Sequence, residues 1–378
     1  MNRIRSIDGL RAVSIAMVLL AHGVYKTPAH YTNNSVFTYL SNGSLGVRFF
    51  FVISGYLITK LLLAEEKKTG TINIKDFYVR RVLRIFPVFY LYILVVFGLK
   101  WFFIPDIVSS YYLVFFAGFY LWNYQHFFSY PSIPNDKGYW FFGHFWSLAV
   151  EEQFYLLWPL LFRKFDKTRL LKLCIALMLL MPLLRVAHYV IFPGMRLQIP
   201  MMLHTGGDTI LTGCLGALLE EKILANKWLI YLMKNKLIVF ILFILLFVVS
   251  PALAVMYKGS YGMTIGMTVN NLLIIFLVLW CIHIPSFVAR VLNSKLLIHI
   301  GVLSYSLYVW QQLFLTYQLN YWINQFPQNF IAVFGVATVS YYFVEKPVLR
   351  LKNRFKRITL FNREEKISFA RRTGPIES

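Results

Sequence analysis

An all-α, polytopic membrane fold is the class this sequence predicts, and three observations predict it. Of 378 residues, 58% are hydrophobic and 14% charged, against roughly 45–50% and 25% in soluble domains. Apolar runs long enough to cross a bilayer recur along the whole chain. Between them, Lys and Arg gather in alternate connections. The mean hydropathy of +0.60 excludes a disordered chain, which would be poor in apolar residues and rich in charge.

A hydrocarbon core of ~30 Å takes about 20 apolar residues per helix. Ten stretches qualify: 8–27, 44–64, 84–104, 146–163, 170–192, 206–221, 236–257, 264–284, 298–318 and 328–348. The first apolar run, Ala12 to Ala21, follows a charged segment and lacks a small-residue cleavage site. It reads as a retained membrane helix, not a signal peptide.

Charge placement orders these spans. With the N-terminus and every second connection on the cytoplasmic side, 31 of the 38 Lys and Arg residues fall inside, as the positive-inside rule requires. Both termini are then cytoplasmic, with a basic, mixed-charge tail over 351–378. The net charge of +22 is thereby absorbed by the lipid bilayer, and no nucleic-acid partner is called for. An eleventh apolar run, 109–124, would reverse every later loop if it crossed. Segment 105–145 is therefore read as outer re-entrant or interfacial chain, with Pro131, Pro134, Asn135, Asp136 and Gly138 marking a loop within it. Irregular backbone at membrane depth persists only against protein or a water-filled cavity, so this segment is expected to wall a substrate site.

Ionisable residues inside a membrane are costly and are functional candidates by default. The first span holds Asp8, Arg11 and His22. Eleven residues at 100° each bring Arg11 and His22 to within about 20° of one helix face, ~16 Å apart along the axis. A cation at the cytoplasmic mouth and a titratable imidazole far above it suit a long anionic donor such as coenzyme A. Packing of His22 against a neighbouring helix is the alternative. Arg81 and Arg84, at i and i+3, share a helical face and can clamp phosphates in a bidentate way, or simply carry topological charge. In the fourth span, Glu151 lies ~8 Å below the outer surface and His22 ~9 Å below it. The two share a level and are expected to meet as a base and its orienting partner. Glu152 points 100° away and reads as structural. Ser54 and Gly55, like Gly213 and Gly216, permit close helix contact; Ser54 is also placed with the donor-binding residues. Ser304, Tyr305, Ser306 and Tyr308 either line a polar cavity or cross-bond helices, and Asp208 is a weaker polar candidate. Cys174, Cys214 and Cys281 are scattered in apolar stretches, so neither a disulfide framework nor a metal site is expected. HExxH, GxSxG and P-loop motifs are absent from the sequence.

The motif set, in order, resembles the membrane acyltransferase 3 family. Its pieces are Ile7-Asp8-Gly9-Leu10-Arg11-Ala12 with His22, Phe50-Phe51-Val52-Ile53-Ser54-Gly55-Tyr56-Leu57-Ile58-Thr59, Arg81-Val82-Leu83-Arg84-Ile85-Phe86-Pro87, Trp146-Ser147-Leu148-Ala149-Val150-Glu151-Glu152-Gln153-Phe154-Tyr155, Ser304-Tyr305-Ser306-Leu307-Tyr308-Val309-Trp310 and Val344-Glu345-Lys346-Pro347. The resemblance covers about 1–350 and implies ten helices, cytoplasmic termini and an acyl-CoA donor. It implies that His22 is the essential catalytic residue and that Arg11, Arg81 and Arg84 serve the donor. Gln311 stands where many relatives have His, and Gly207 precedes Asp208 where relatives often carry Arg. The resulting expectation is a bacterial inner-membrane acyltransferase moving an acetyl group from acetyl-CoA, or another acyl-CoA, to a sugar hydroxyl of a polysaccharide or lipid-linked glycan. His22 acts with Glu151 or Asp8. No esterase-like segment follows in the sequence, so final transfer is expected within the membrane domain or by a partner. A transporter or flippase is the rival class; it favours paired broken helices in two related halves, and the sequence has no such symmetry.

Overall fold

The computed structural model describes residues 4–128 and 136–351. The expected tail beyond Leu351, and Pro131, Pro134 and Asn135, lie outside the described residues. Among those described there are helices and turns and no strand. Ten long helices lie over the ten expected stretches: α1 Arg5–Gly23, α2 Gly43–Thr69, α3 Ile74–Phe102, α4 Phe145–Lys164, α5 Lys167–Ile191, α6 Asp208–Ala225, α7 Lys236–Met256, α8 Gly262–His283, α9 Lys295–Phe314 and α10 328–351.

Six of these, α1, α2, α3, α5, α7 and α8, are long and apolar enough to cross a membrane. The other four are shorter or more polar, and they carry many of the buried polar groups: Ser147 on α4, Asp208 on α6, Gln311 on α9 and Glu345 on α10. Helices shielded by other helices need fewer apolar residues than those bathed in lipid. The peripheral α5 and α7 show the opposite pattern. They expose Leu179, Leu183, Val190, Leu237 and Phe240, an apolar surface suited to a hydrocarbon solvent.

The long connection expected at 64–84 is mostly helix. α2 runs to Thr69, stops at Gly70 in the left-handed conformation (φ 70°) and yields at once to α3. The Asn73 side chain caps α3 by accepting from the Asp76 amide at 3.0 Å. Reading apolar runs alone ended the helices too early, because Lys and Glu are good helix formers once the backbone is past the hydrocarbon. Arg80, Arg81 and Arg84 thereby sit on a regular helix.

The centre of the bundle depends on close backbone approach. α2 meets α6 where Gly55 faces the Ile210 carbonyl and Gly213 faces the Val52 carbonyl, with no room for a Cβ at either contact. α1 packs against both α2 and α9.

Among the described residues of segment 105–145, no helix is long enough to cross a membrane. Its apolar run forms only Tyr111–Gly118, eight residues, about 12 Å long against a core of ~30 Å. A 3-10 helix, Trp122–Phe127, follows. Asp136 ties the segment together by accepting from the amides of Ser109 at 3.0 Å, Ser110 at 2.8 Å and Gly138 at 2.8 Å. Lys137 donates to Asp106 at 2.6 Å and holds its exposed carboxyl below the usual carboxylate range. Tyr92 of α3 donates to the Phe141 carbonyl at 2.6 Å, and Gln153 of α4 to the Tyr120 carbonyl at 2.8 Å. The segment is thus fastened over the end of the bundle where α1 terminates.

Candidate active site

A cavity of about 440 Å³ opens between α1, α2, α3, α4, α9 and α10. That volume is in the range of small-molecule sites. Asp8 and Arg11 of α1, Ser54 of α2, Arg81 and Arg84 of α3 and Glu151 of α4 all line it. Six of the seven residues singled out from the sequence therefore share one chamber, although they come from four helices spread over some 140 positions.

The chamber is charged at the end that holds the N-terminus of α1. Arg80 pairs with Glu65 at 3.1 Å, and Glu65 also accepts from the Asn73 amide at 2.9 Å. The Arg81 guanidinium lies over the Tyr155 ring at 4.5 Å and the Phe77 ring at 5.5 Å, a cation–π seat that fixes its plane. The Tyr155 hydroxyl is hydrogen-bonded to Ser54. Glu151 faces Arg81, Arg11 and Arg84 across the cavity. Glu345, bonded to Ser306, faces Arg84 and Arg11 from α10. Four guanidiniums (Arg11, Arg80, Arg81 and Arg84) and four carboxylates (Asp8, Glu65, Glu151 and Glu345) thus line one chamber. Planar guanidiniums of this kind suit bidentate phosphate binding. Buried charge without partners is costly, and the carboxylates balance it. Sequence reasoning missed Glu65 and Glu345. Glu345 was detectable by the rule that flagged Glu151, an acid inside an apolar span.

Of the polar residues on α9, Ser304, Tyr305 and Tyr308 line the cavity, whereas Ser306 cross-bonds α9 to α10 through Glu345. Glu152 does not line it.

His22 stands apart. It does not line the chamber, and the expected pairing with Glu151 is not formed. Its Nδ1 lies 3.1 Å from Oε1 of Gln311, and its ring meets Trp140 edge-on at 5.9 Å. The depth estimate failed because it measured height along the membrane and not direction. Glu151 turns toward the arginines, whereas His22 turns toward α9. Two chamber-lining side chains, Tyr308 and Ser147, are bonded to each other between the levels of Glu151 and Gln311 in the sequence of α4 and α9. The hydroxyls of Tyr308 and Ser147 are 2.5 Å apart, and Tyr308 donates to the His144 carbonyl at 2.9 Å. Gln311 is three residues beyond the chamber-lining Tyr308 on α9, about 4.5 Å of rise, so His22 meets α9 roughly one turn past that residue. An amide oxygen only accepts, so Nδ1 carries the proton and Nε2 keeps its lone pair. The departure at Gln311 therefore touches the candidate catalytic ring itself. Among its described residues, segment 105–145 does not wall the chamber as expected; it reaches the His22 ring instead, through Trp140.

Asp208 belongs elsewhere. It forms a fully buried ion pair with Arg185 of α5 and accepts from Thr268 of α8 at 2.8 Å. Arg185 also donates to the Thr205 carbonyl at 2.6 Å. Where relatives often carry Arg beside the acid, Gly207 leaves that partner to be supplied from α5.

Comparison with known proteins finds relatives along nearly the whole chain. The chain is 31% identical over 376 residues to the peptidoglycan O-acetyltransferase OatA of Listeria monocytogenes, covering 91% of this chain and 55% of that protein. It is 29% identical over 383 residues to the O-acetyltransferase OatA of Staphylococcus aureus, covering 97% of this chain and 60% of that protein. The chain thus spans little more than half the length of the curated relatives it matches. No solved structure matches it. The family model for the acyltransferase domain, acyltransferase 3, matches residues 4–345, a range that takes in every residue lining the cavity but Leu349, and the chain belongs to that family.

Proposed function

We propose that this chain is a membrane O-acetyltransferase that moves an acetyl group from a cytoplasmic acyl-CoA to a sugar hydroxyl of a cell-surface glycan. All ten long helices cross the bacterial cytoplasmic membrane, with both termini inside. One observation carries the reading: Arg11, Arg81 and Arg84 converge at one end of α1, and His22 stands further along that helix, ~16 Å away. The name of the Listeria relative supports a glycan acceptor.

Arg11, Arg81 and Arg84 hold the donor's phosphates, and Ser54 and Glu151 line the path of its arm. The bonded Ser147–Tyr308 pair is the barrier that the thioester must pass. Beyond it, Nε2 of His22 accepts the proton of the sugar hydroxyl as that oxygen bonds to the acyl carbon. The carbon–sulfur bond breaks, and the imidazolium returns the proton to the departing thiolate. Gln311 keeps Nδ1 protonated throughout. Attack by Nε2 itself, with transient acylation of the ring, is the other route open to this geometry. It predicts ping-pong kinetics, whereas direct attack predicts a ternary complex.

The test uses purified protein in lipid nanodiscs with radiolabelled acetyl-CoA and peptidoglycan strands. His22→Ala should abolish label transfer. Replacing Arg81 and Arg84 by Gln should raise the donor KM, because each removes a bidentate phosphate contact. Transfer at the wild-type rate by His22→Ala overturns the reading.

A further inference from the structure

Past the His22 ring, on the side away from the charged chamber, three aromatic rings converge from three separate parts of the chain. Tyr25 follows the end of α1, Tyr317 follows the end of α9, and Trp140 lies in the short helix Gly138–Phe141. Trp140 meets Tyr317 edge-on at 4.6 Å, Tyr25 lies 5.0 Å from Tyr317, and Trp140 lies 5.9 Å from His22. The Trp140 indole is anchored by donating to the Gln312 carbonyl at 3.0 Å. Tyr25 and Tyr317 nevertheless remain 64% and 48% exposed. At their edge, Lys26 donates to Asn320 at 2.6 Å, which puts a polar rim beside an aromatic surface.

Tyrosine and tryptophan also collect at membrane interfaces as a belt. Belt residues line the perimeter, however, whereas these rings pack on one another, with Trp140 set against the His22 imidazole, and bring polar groups with them. A pyranose ring has complementary chemistry. Its C–H face is apolar and stacks on aromatic surfaces, and its hydroxyls require polar partners at the margin. Resting on the acetyl-transfer reading above, we propose that Tyr25 and Tyr317, backed by Trp140, form the acceptor subsite, where a sugar ring of the glycan stacks with one hydroxyl directed at His22. Donor and acceptor then approach the imidazole from opposite ends of α1.

The experiment measures binding separately from turnover. Full-length protein in nanodiscs is titrated calorimetrically with soluble peptidoglycan strands freed of their peptides, and acceptor and donor KM are measured with acetyl-CoA. The double variant Tyr25→Ala/Tyr317→Ala should weaken glycan binding and raise the acceptor KM about tenfold, the loss expected for two stacking contacts, while the donor KM stays as in wild type. Tyr25→Phe/Tyr317→Phe keeps both rings and should bind within about twofold of wild type. Wild-type affinity in the alanine pair overturns the subsite. So does equal weakening in the phenylalanine pair, or a wild-type protein that binds no strands. A belt role would change only the melting temperature in nanodiscs, which also overturns it. His22→Ala should bind strands normally without transferring acetyl. If that variant still transfers, the catalytic reading fails while the binding measurement continues to judge the subsite.

Discussion

Gln311 is the residue on which the chemistry of His22 turns. It is fully buried, and its side-chain oxygen is the acceptor that faces Nδ1. Gln311→Leu removes that acceptor, frees the ring to adopt the other tautomer, and should lower kcat by about ten- to a hundredfold with little effect on donor KM. Gln311→Glu retains an acceptor and should keep most of the activity; equal rates in wild type and Gln311→Leu would show that the contact is idle. Arg185 and Asp208 give the complementary case, a buried pair remote from the cavity. Arg185→Leu strands a buried carboxylate and should cost about 3–5 kcal/mol of stability, read as a lower melting temperature in detergent. Arg185→Leu/Asp208→Leu removes both charges and should recover most of the loss. If the single and double variants melt together, the pair is not what joins α5, α6 and α8. None of these contacts follows from spacing. Arg185 reads as an outer-half charge until the fold brings it to Asp208, 23 positions later.

At the scale of elements, the site is a consequence of how closely α2, α6, α1 and α9 approach. Gly213 has the Val52 carbonyl where a side chain would be. Gly213→Val must push α6 away from α2, and overpacking of this kind costs about 1–3 kcal/mol. Ser54 lines the chamber one residue before the contact at Gly55, so a displacement of α2 there should also raise the donor KM. A variant with unaltered melting temperature and KM would show that the helices can part without disturbing the chamber. Helix positions were largely readable in the sequence, because a bilayer imposes length and apolarity on each crossing segment. Helix ends were not, since Lys-rich turns such as the last of α2 continue the helix in water.

For the whole molecule, the asymmetric distribution of Lys and Arg sets the expected orientation. Single cysteines introduced at Lys68 and Lys137, in a background lacking Cys174, Cys214 and Cys281, should differ in whole cells. A membrane-impermeant maleimide should label the second and spare the first, because positive charge is retained on the cytoplasmic face. Labelling of both from outside would reverse the direction of acyl transfer drawn here.

Composition, spacing and charge were enough to specify a helical membrane bundle, the approximate positions of its long helices and most of the ionisable residues that line its cavity. Those properties depend on local chemistry and on the thickness of a bilayer, and both are written residue by residue. Which of those residues meet was decided only by tertiary packing. Glu151 joined the arginines instead of His22, Glu345 entered the chamber from α10, and Gln311 met the imidazole across 289 positions of chain. Height within a membrane can be counted along a helix. The direction in which a side chain faces its partner depends on how helices far apart in sequence rotate against one another, and no single helix carries that information.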